Sequence, residues 1–197
     1  MDRQPTLESE RLLVRPLRQD DREALYAFVG DSLLWQQHPV PERAERVHFD
    51  DWFDGLLGHG GAMVAIERAS GTAIATSSFL NHRTEGEGVI EVGSTAVARS
   101  HWGGWANREL KRLMLSHAFA SVGCVEFLIG EHNMRSRRAV EKIGGVLTDR
   151  IHIAEYRGRE IPHLIYELTR ADFAKGPLSR AGFASSANSA RGRRSRG

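Results

Sequence analysis

Between residues 98 and 115 the chain reads ARSHWGGWANRELKRLML, with Gly103 and Gly104 set between Trp102 and Trp105 just where a helical pattern begins. The first N–H groups of a helix have no partner inside it, and the helix dipole adds partial positive charge there. Such a terminus suits a pyrophosphate, and glycine lets an anion reach the main chain with no Cβ in the way. The same two residues would serve a plain tight turn equally well. Neither nucleotide fingerprint fits, since both the P-loop and the GxGxxG spacings are absent. A dinucleotide-binding oxidoreductase fails on position too, because the glycine pair follows mid-chain hairpins and not the first strand-to-helix turn of a parallel unit.

Other residue types narrow the chemistry. Glu91 lies inside VIEVG, and a carboxylate flanked by apolar residues on a strand should be partly desolvated, which raises its pKa. Asn133 precedes a helical pattern and is a good N-cap in its own right. The nine histidines are scattered, with no HxxxH or HExxH pairing, so a metal site is not expected. The one cysteine, Cys124, excludes an internal disulfide, fits a reducing compartment and reads as packing at the start of an apolar run.

These residues need elements to hold them. RLLVRPL (11–17) predicts a strand that stops at Pro16, followed by a helix capped by Asp20 or Asp21 with Leu25, Phe28 and Val29 on one face. Residues 42–58 predict a second helix from Val47, Phe49, Trp52, Phe53, Leu56 and Leu57. GAMVAIER and TAIATSSFLNH predict a hairpin, GVIEVGSTAV (88–97) a third strand, and Asn107 to about Val122 a helix. VEFLIG reads as a central strand, NMRSRRAVEKIGG as a short helix, and VLTDRIHIAEY and IPHLIYELT as a closing strand pair. The order β-α-α-β-β-β-α-β-α-β-β predicts one mixed α/β domain.

Composition bounds the rest. With 41% hydrophobic and 26% charged residues, the 197-residue chain has the make-up of a soluble domain. No run approaches the roughly 18 apolar residues of a membrane span, and the charged N-terminus is unlike a signal peptide; a cytoplasmic location is expected. The segment 174–197 carries Lys175, Arg180, Arg191, Arg193, Arg194 and Arg196 without an acid. Setting those six aside leaves 21 basic against 25 acidic residues, so the body is near −4. The domain is therefore placed at 6–173 and the Ser/Gly/Arg-rich tail is expected to be disordered, with nucleic acid touched only through it, if at all.

Four segments in order resemble the GNAT superfamily of acetyl-CoA-dependent N-acetyltransferases, in particular its RimJ/RimL-like branch: LESERLLVRPLRQDD, IEVGSTAVARSHWGGWANRELKRLMLSHAF, NMRSRRAVEKIGG and PHLIYELT. The resemblance spans about residues 6–170. It implies a mostly antiparallel sheet splayed between its fourth and fifth strands, with helices on both faces. The family's pyrophosphate loop, Q/R-x-x-G-x-G/A, fits in two registers. Ser100–Trp105 puts Trp105 at the last small position; the favoured His101–Ala106 keeps Gly104 and Ala106 but has His101 where Gln or Arg is usual.

The resemblance further implies that acetyl-CoA is held by Thr95, Ala96 and Val97 along the splayed strand, by His101, Trp102, Gly103, Gly104, Trp105, Ala106 and Asn107 at the loop, and by Asn133 and Arg137. Glu91 would be the base that deprotonates an attacking amine, Ser136 the acid that protonates the departing thiolate, and a backbone N–H near Thr95 or Ala96 the oxyanion donor. Trp35 and His38, in the loop DSLLWQQHPVPE, would meet the acceptor, with His152, Tyr156 and His163 of the closing strands nearby. The implied acceptor is a small amine or a protein N-terminus, and a homodimer is expected by analogy. A rival reading is a non-catalytic acyl-CoA-binding or ribosome-associated module.

Overall fold

A computed structural model of the chain describes Met1–Ser179. Eight strands form one sheet: β1 (Leu7–Glu8), β2 (Leu12–Pro16), β3 (Ala62–Glu67), β4 (Thr72–Arg83), β5 (Val89–Val97), β6 (Cys124–Gly130), β7 (Val146–Tyr156) and β8 (Arg159–Thr169). Their order is β1-β2-β3-β4-β5-β6-β8-β7, antiparallel throughout except for the parallel β5–β6 pair. The helices are α1 (Arg22–Val29), α2 (Arg46–Gly58), α3 (Ala106–Ala118), α4 (Met134–Glu141) and α5 (Arg170–Lys175).

Side-chain alternation on the strands builds two cores. On β3, Met63 and Ala65 face a core shared with Leu110, Leu113, Met114 and Ala118 of α3, while Ala62 and Val64 face one shared with Leu25 and Val29 of α1 and Phe49, Phe53 and Leu56 of α2. A strand buried on both faces reads as a continuous apolar run, as AMVAI does. The mixed α/β architecture expected from the sequence is thus present, with helices on both faces.

β2 ends at Pro16, as expected, with that residue still paired to Met63. Several other boundaries differ, each for a local reason. The expected helix over 42–58 is a single 3-10 turn, Pro41–Ala44, then an extended Glu45, and only then α2. Asp21 does not cap α1 with its side chain; its carboxylate turns back to the Arg18 N–H and the Arg15 guanidinium. α3 stops at Ala118, although Val122 beyond it is fully buried, which is why the apolar pattern runs on past the helix.

The body also extends past residue 173. α5 continues to Lys175, Phe173 stacks on Phe119 at 4.9 Å, and Leu178 is 1% exposed in the main core. Of the expected tail, Leu178 is therefore core, and the part beyond Ser179, with all five of its arginines and the expected disorder, lies outside the described residues. Among the described residues no helix is long and apolar enough to cross a membrane, and no cluster of metal-ligating side chains occurs. Cys124 is half-buried, and burial pushes its thiol up to about 11, so it stays protonated at neutral pH.

Candidate active site

The parallel ladder between β5 and β6 is only three residues long: Val89, Ile90 and Glu91 pair with Cys124, Val125 and Glu126. Beyond it the strands part. β5 remains paired to β4 as far as Val97, and β6 remains paired to β8 as far as Gly130, so the sheet opens into a cleft between them. A cavity of about 1050 Å³ fills this opening, bounded by β5, β6, the start of α3, α4 and the segment 34–43. A strand with one unpaired edge can accept an extended ligand's amides as an added strand would give them.

Glu91 closes the narrow end. It is 7% exposed, accepts a hydrogen bond from Asn81 Nδ2 at 2.6 Å, and burial raises its pKa above the ordinary carboxylate value against the opposing pull of that amide. Two irregularities aim it. Asn81 on β4 and Ser94 on β5 both have φ of +47°, where the β4–β5 register shifts. Gly93 leaves the space the carboxylate occupies, since a Cβ there would lie 2.6 Å from Glu91 Oε1.

At the wide end stands the start of α3. Trp105 is its N-cap residue and supplies no side-chain cap, so the first amides of the helix lack that partner. Gly103 has φ of +70°, a conformation that favours glycine, and a Cβ on Gly104 would crowd the His101 carbonyl at 3.3 Å. The helix is anchored from below: buried Glu109 bonds Ser9 and Arg11, and Arg11 also lies 4.4 Å over the Trp105 ring.

Across the cleft Asn133 caps α4, its Oδ1 accepting from the Ser136 N–H at 3.2 Å. Ser136 lines the cavity one position past Arg135. The Arg135 N–H reaches Gln37 Oε1 at 2.9 Å, and its guanidinium lies 3.8 Å over the Trp102 ring while donating to the Leu34 carbonyl. Trp102, 37% exposed, is fixed from the other side by its Nε1–H bond to the Val97 carbonyl. Arg135 thus ties the 31–40 loop to both walls of the cleft.

Of the residues expected at the site, Glu91, Thr95, Ala96, Val97, His101, Trp102, Gly103, Gly104, Asn107, Asn133, Ser136, Trp35 and His38 all line the one cavity. Three do not. Trp105 packs against the core under Arg11, and Ala106 is buried within that core. Arg137 turns away, donating to Tyr166 Oη at 2.9 Å and to the Glu131 carbonyl, while Arg138 and Lys142 of the same stretch face the cavity. Trp35 is wall and not rim: it is 3% exposed, with its Nε1–H bonded to the Val29 carbonyl.

Arg43, Asn81 and Lys111 line the cavity as well, and none of them stands out in the sequence. Lys111, on α3 beneath the opening, is fully enclosed; its Nζ donates to Thr95 Oγ1 at 2.7 Å and to Ser77 Oγ at 3.2 Å. Burial pushes its pKa down to about 7. A lysine inside a helix pattern, RELKRLML, gives no sign of facing inward, and only the three-dimensional crossing of α3 under β5 reveals it.

A sheet opened along one parallel pair, with a glycine-led helix terminus at the mouth and a buried carboxylate at the apex, defines an enzyme cleft. A family profile described as Acetyltransferase (GNAT) domain matches residues 11–146, more than half of the chain. The chain belongs to the GNAT acetyltransferase family, and it is an N-acetyltransferase. Its fold is similar to that of a GCN5-related N-acetyltransferase from Brucella melitensis, at 20% identity and a TM-score of 0.76 over 92% of this chain and 85% of that one. It is also similar to Mycobacterium smegmatis RimJ in complex with CoA-disulfide, at 16% identity and a TM-score of 0.67 over 88% and 91% of the two chains. A third is Vibrio cholerae spermidine N-acetyltransferase in complex with CoA and spermine, at 13% identity and a TM-score of 0.62 over 84% and 99%.

Proposed function

We propose that the chain transfers the acetyl group of acetyl-CoA to a primary amine by direct attack within a ternary complex, as a member of the RimJ/RimL-like branch. The observation that carries this reading is the opened β5–β6 pair with Glu91 at its apex. The residues present suit acetyl-CoA. The unpaired edge of β5 over Val92–Val97 fits an amide-bearing arm, and the uncapped start of α3 behind Gly103 and Gly104 fits a pyrophosphate. Arg138 and Lys142 supply further cations facing the same cavity. Acetyl-CoA supplies a thioester, whose carbonyl carbon is open to attack.

The protein's own groups then have distinct tasks. Glu91 takes the proton that the amine must lose, directly or through one water, as the N–C bond forms. A backbone N–H of β5 near Thr95 or Ala96 holds the carbonyl oxygen while it carries negative charge. The C–S bond breaks, and Ser136 Oγ, at the first turn of α4, returns a proton to the thiolate. Asn133, which lines the same cavity, holds that turn in place.

Calorimetry with acetyl-CoA tests this first, beside a Gly104→Glu variant that adds bulk and negative charge at the α3 terminus. Binding by the parent and none by the folded variant is the expected result. A parent that ignores acetyl-CoA, or a variant that binds it equally well, overturns the reading.

A further inference from the structure

The cavity has a second end, away from the α3 terminus, where a half-buried guanidinium meets no acid among the described residues. Arg43, in the turn Pro41–Ala44, lies over Trp35 and Trp52 at 5.6 and 5.4 Å from their ring centroids. Its Nε is buried with no hydrogen-bond partner among the described residues. Its Nη1 sits 3.1 Å from His38 Nε2. That contact brings two donors together. The Val40 N–H donates to His38 Nδ1 at 3.0 Å, so the neutral ring carries its proton on Nε2, the atom facing Arg43. The ring is kept neutral: burial first, then the Arg43 charge, push its pKa well below the usual imidazole value.

Acids that could balance Arg43 are engaged elsewhere. Glu42, its chain neighbour, pairs through Oε1 with Arg159 at 2.9 Å, and Asp31 pairs with Arg99. Glu42 keeps Oε2 buried without a hydrogen-bond partner and forms no ion pair to Arg43 among the described residues. Glu91 is bonded by Asn81. Glu155 lines the cavity from an exposed position on β7, with no ion pair to Arg43 among the described residues. Burial pushes the Arg43 guanidinium down to about 10, and the neighbour that favours its charge is the phenol of Tyr156, not a carboxylate. A half-buried cation with its Nε enclosed and no counter-charge is costly to maintain unless a ligand supplies one.

This end connects with the reacting end. His163 lies within electrostatic range of both Arg43 and His152, and His152 within range of Glu91. The roof is bridged as well: Tyr156 Oη contacts His48 Nδ1 at 2.9 Å, and Arg157 pairs with Asp51 at 2.8 Å, which joins the β7–β8 turn to α2. That bridging favours a compact ligand over an extended chain.

We propose that Arg43 and the Nε2–H of His38 form an anion subsite for the acceptor, which is a small amine that also carries a carboxylate: an amino-acid-like molecule whose amine lies at Glu91. The proposal rests on the acetyl-transfer reading above. Two donors side by side match two carboxylate oxygens, and Trp35 and Trp52 flank the guanidinium. The carboxylate is unchanged in the reaction.

The test uses the full chain and begins with acetyl-CoA calorimetry, so that failure of the underlying reading is seen on its own. The acceptors are L-amino acids, each set against its C-terminal amide and its decarboxylated amine, with spermidine as a polycation. The expected result is at least one free amino acid turned over with kcat/KM about tenfold or more above its amide and its amine. The aspartate and glutamate amides keep a side-chain carboxylate, so their use where other amides fail locates the recognised group on the side chain. Arg43→Gln should keep acetyl-CoA binding, raise KM for the acid about tenfold, and leave KM for the decarboxylated amine within about twofold. Should that variant not fold, the parent's preference for acid over amide, and its thermal protection by the preferred acid without acetyl-CoA, decide the matter. A parent that binds acetyl-CoA yet prefers amides or spermidine, or acetylates none of the acids, overturns the proposal. So does a folded Arg43→Gln with an unchanged acid-to-amide ratio.

Discussion

Glu91 is held where a carboxylate is costly to ionise. Burial raises its pKa and the Asn81 amide only partly offsets that. For an acid raised on folding, the stabilising contribution is present below the unfolded value and is lost as pH rises through the folded one. Ionised Glu91 therefore weakens the fold at neutral pH. Glu91→Gln should melt at a higher temperature than the parent at pH 7, with the gap narrowing towards pH 4, while kcat/KM falls by roughly 10²–10⁴ and its rising acid limb disappears. Asn81→Gly, which keeps the +47° φ without strain, should move that limb to higher pH because the carboxylate loses its donor. Lys111 runs the other way. An amine lowered to about 7 on folding binds fewer protons folded than unfolded, so its contribution to stability rises between pH 7 and about 10.5. Denaturant midpoints measured across that window should climb in the parent and climb less in Lys111→Met.

At the scale of elements, the phase of α4 decides which of its cations serves a ligand. Arg138→Ala and Lys142→Ala should each weaken acetyl-CoA several-fold by calorimetry. Arg137→Ala should leave affinity within about twofold and instead lower the denaturant midpoint through the lost bond to Tyr166. This phase was only half legible in the sequence. NMRSRRAVEKIGG announces a helix and its Asn cap, and both are present, yet the run of arginines does not say which one meets the cleft. The strands were readable because alternation and apolar runs are local properties, and Glu91 was readable because its apolar neighbours imply burial. Arg43, Asn81 and Lys111 were not, since each gains its meaning from a partner on another element: His38, Glu91 and Thr95. Trp35 lines the cavity as expected, but its depth was not legible for a related reason: nothing local announces that α1 offers its nitrogen the Val29 carbonyl.

For the molecule as a whole, the C-terminal boundary matters. Pro177 and Leu178 line the cavity, and the Pro177 carbonyl accepts from Arg108 on α3. A chain ending at Phe173 loses the end of α5 and the buried Leu178, and should be less stable by about 2–5 kcal/mol with weakened acetyl-CoA binding. A chain ending at Ser179 keeps each of those contacts and should match the parent in denaturant titration. The short β5–β6 ladder has a further consequence. Over Val92–Val97 the sheet is incomplete along one edge, so part of its backbone is left for solvent or a guest to finish. Amide protons there should exchange quickly in the free protein and slow sharply when acetyl-CoA is added, while those of β3, enclosed on both faces, keep one slow rate throughout.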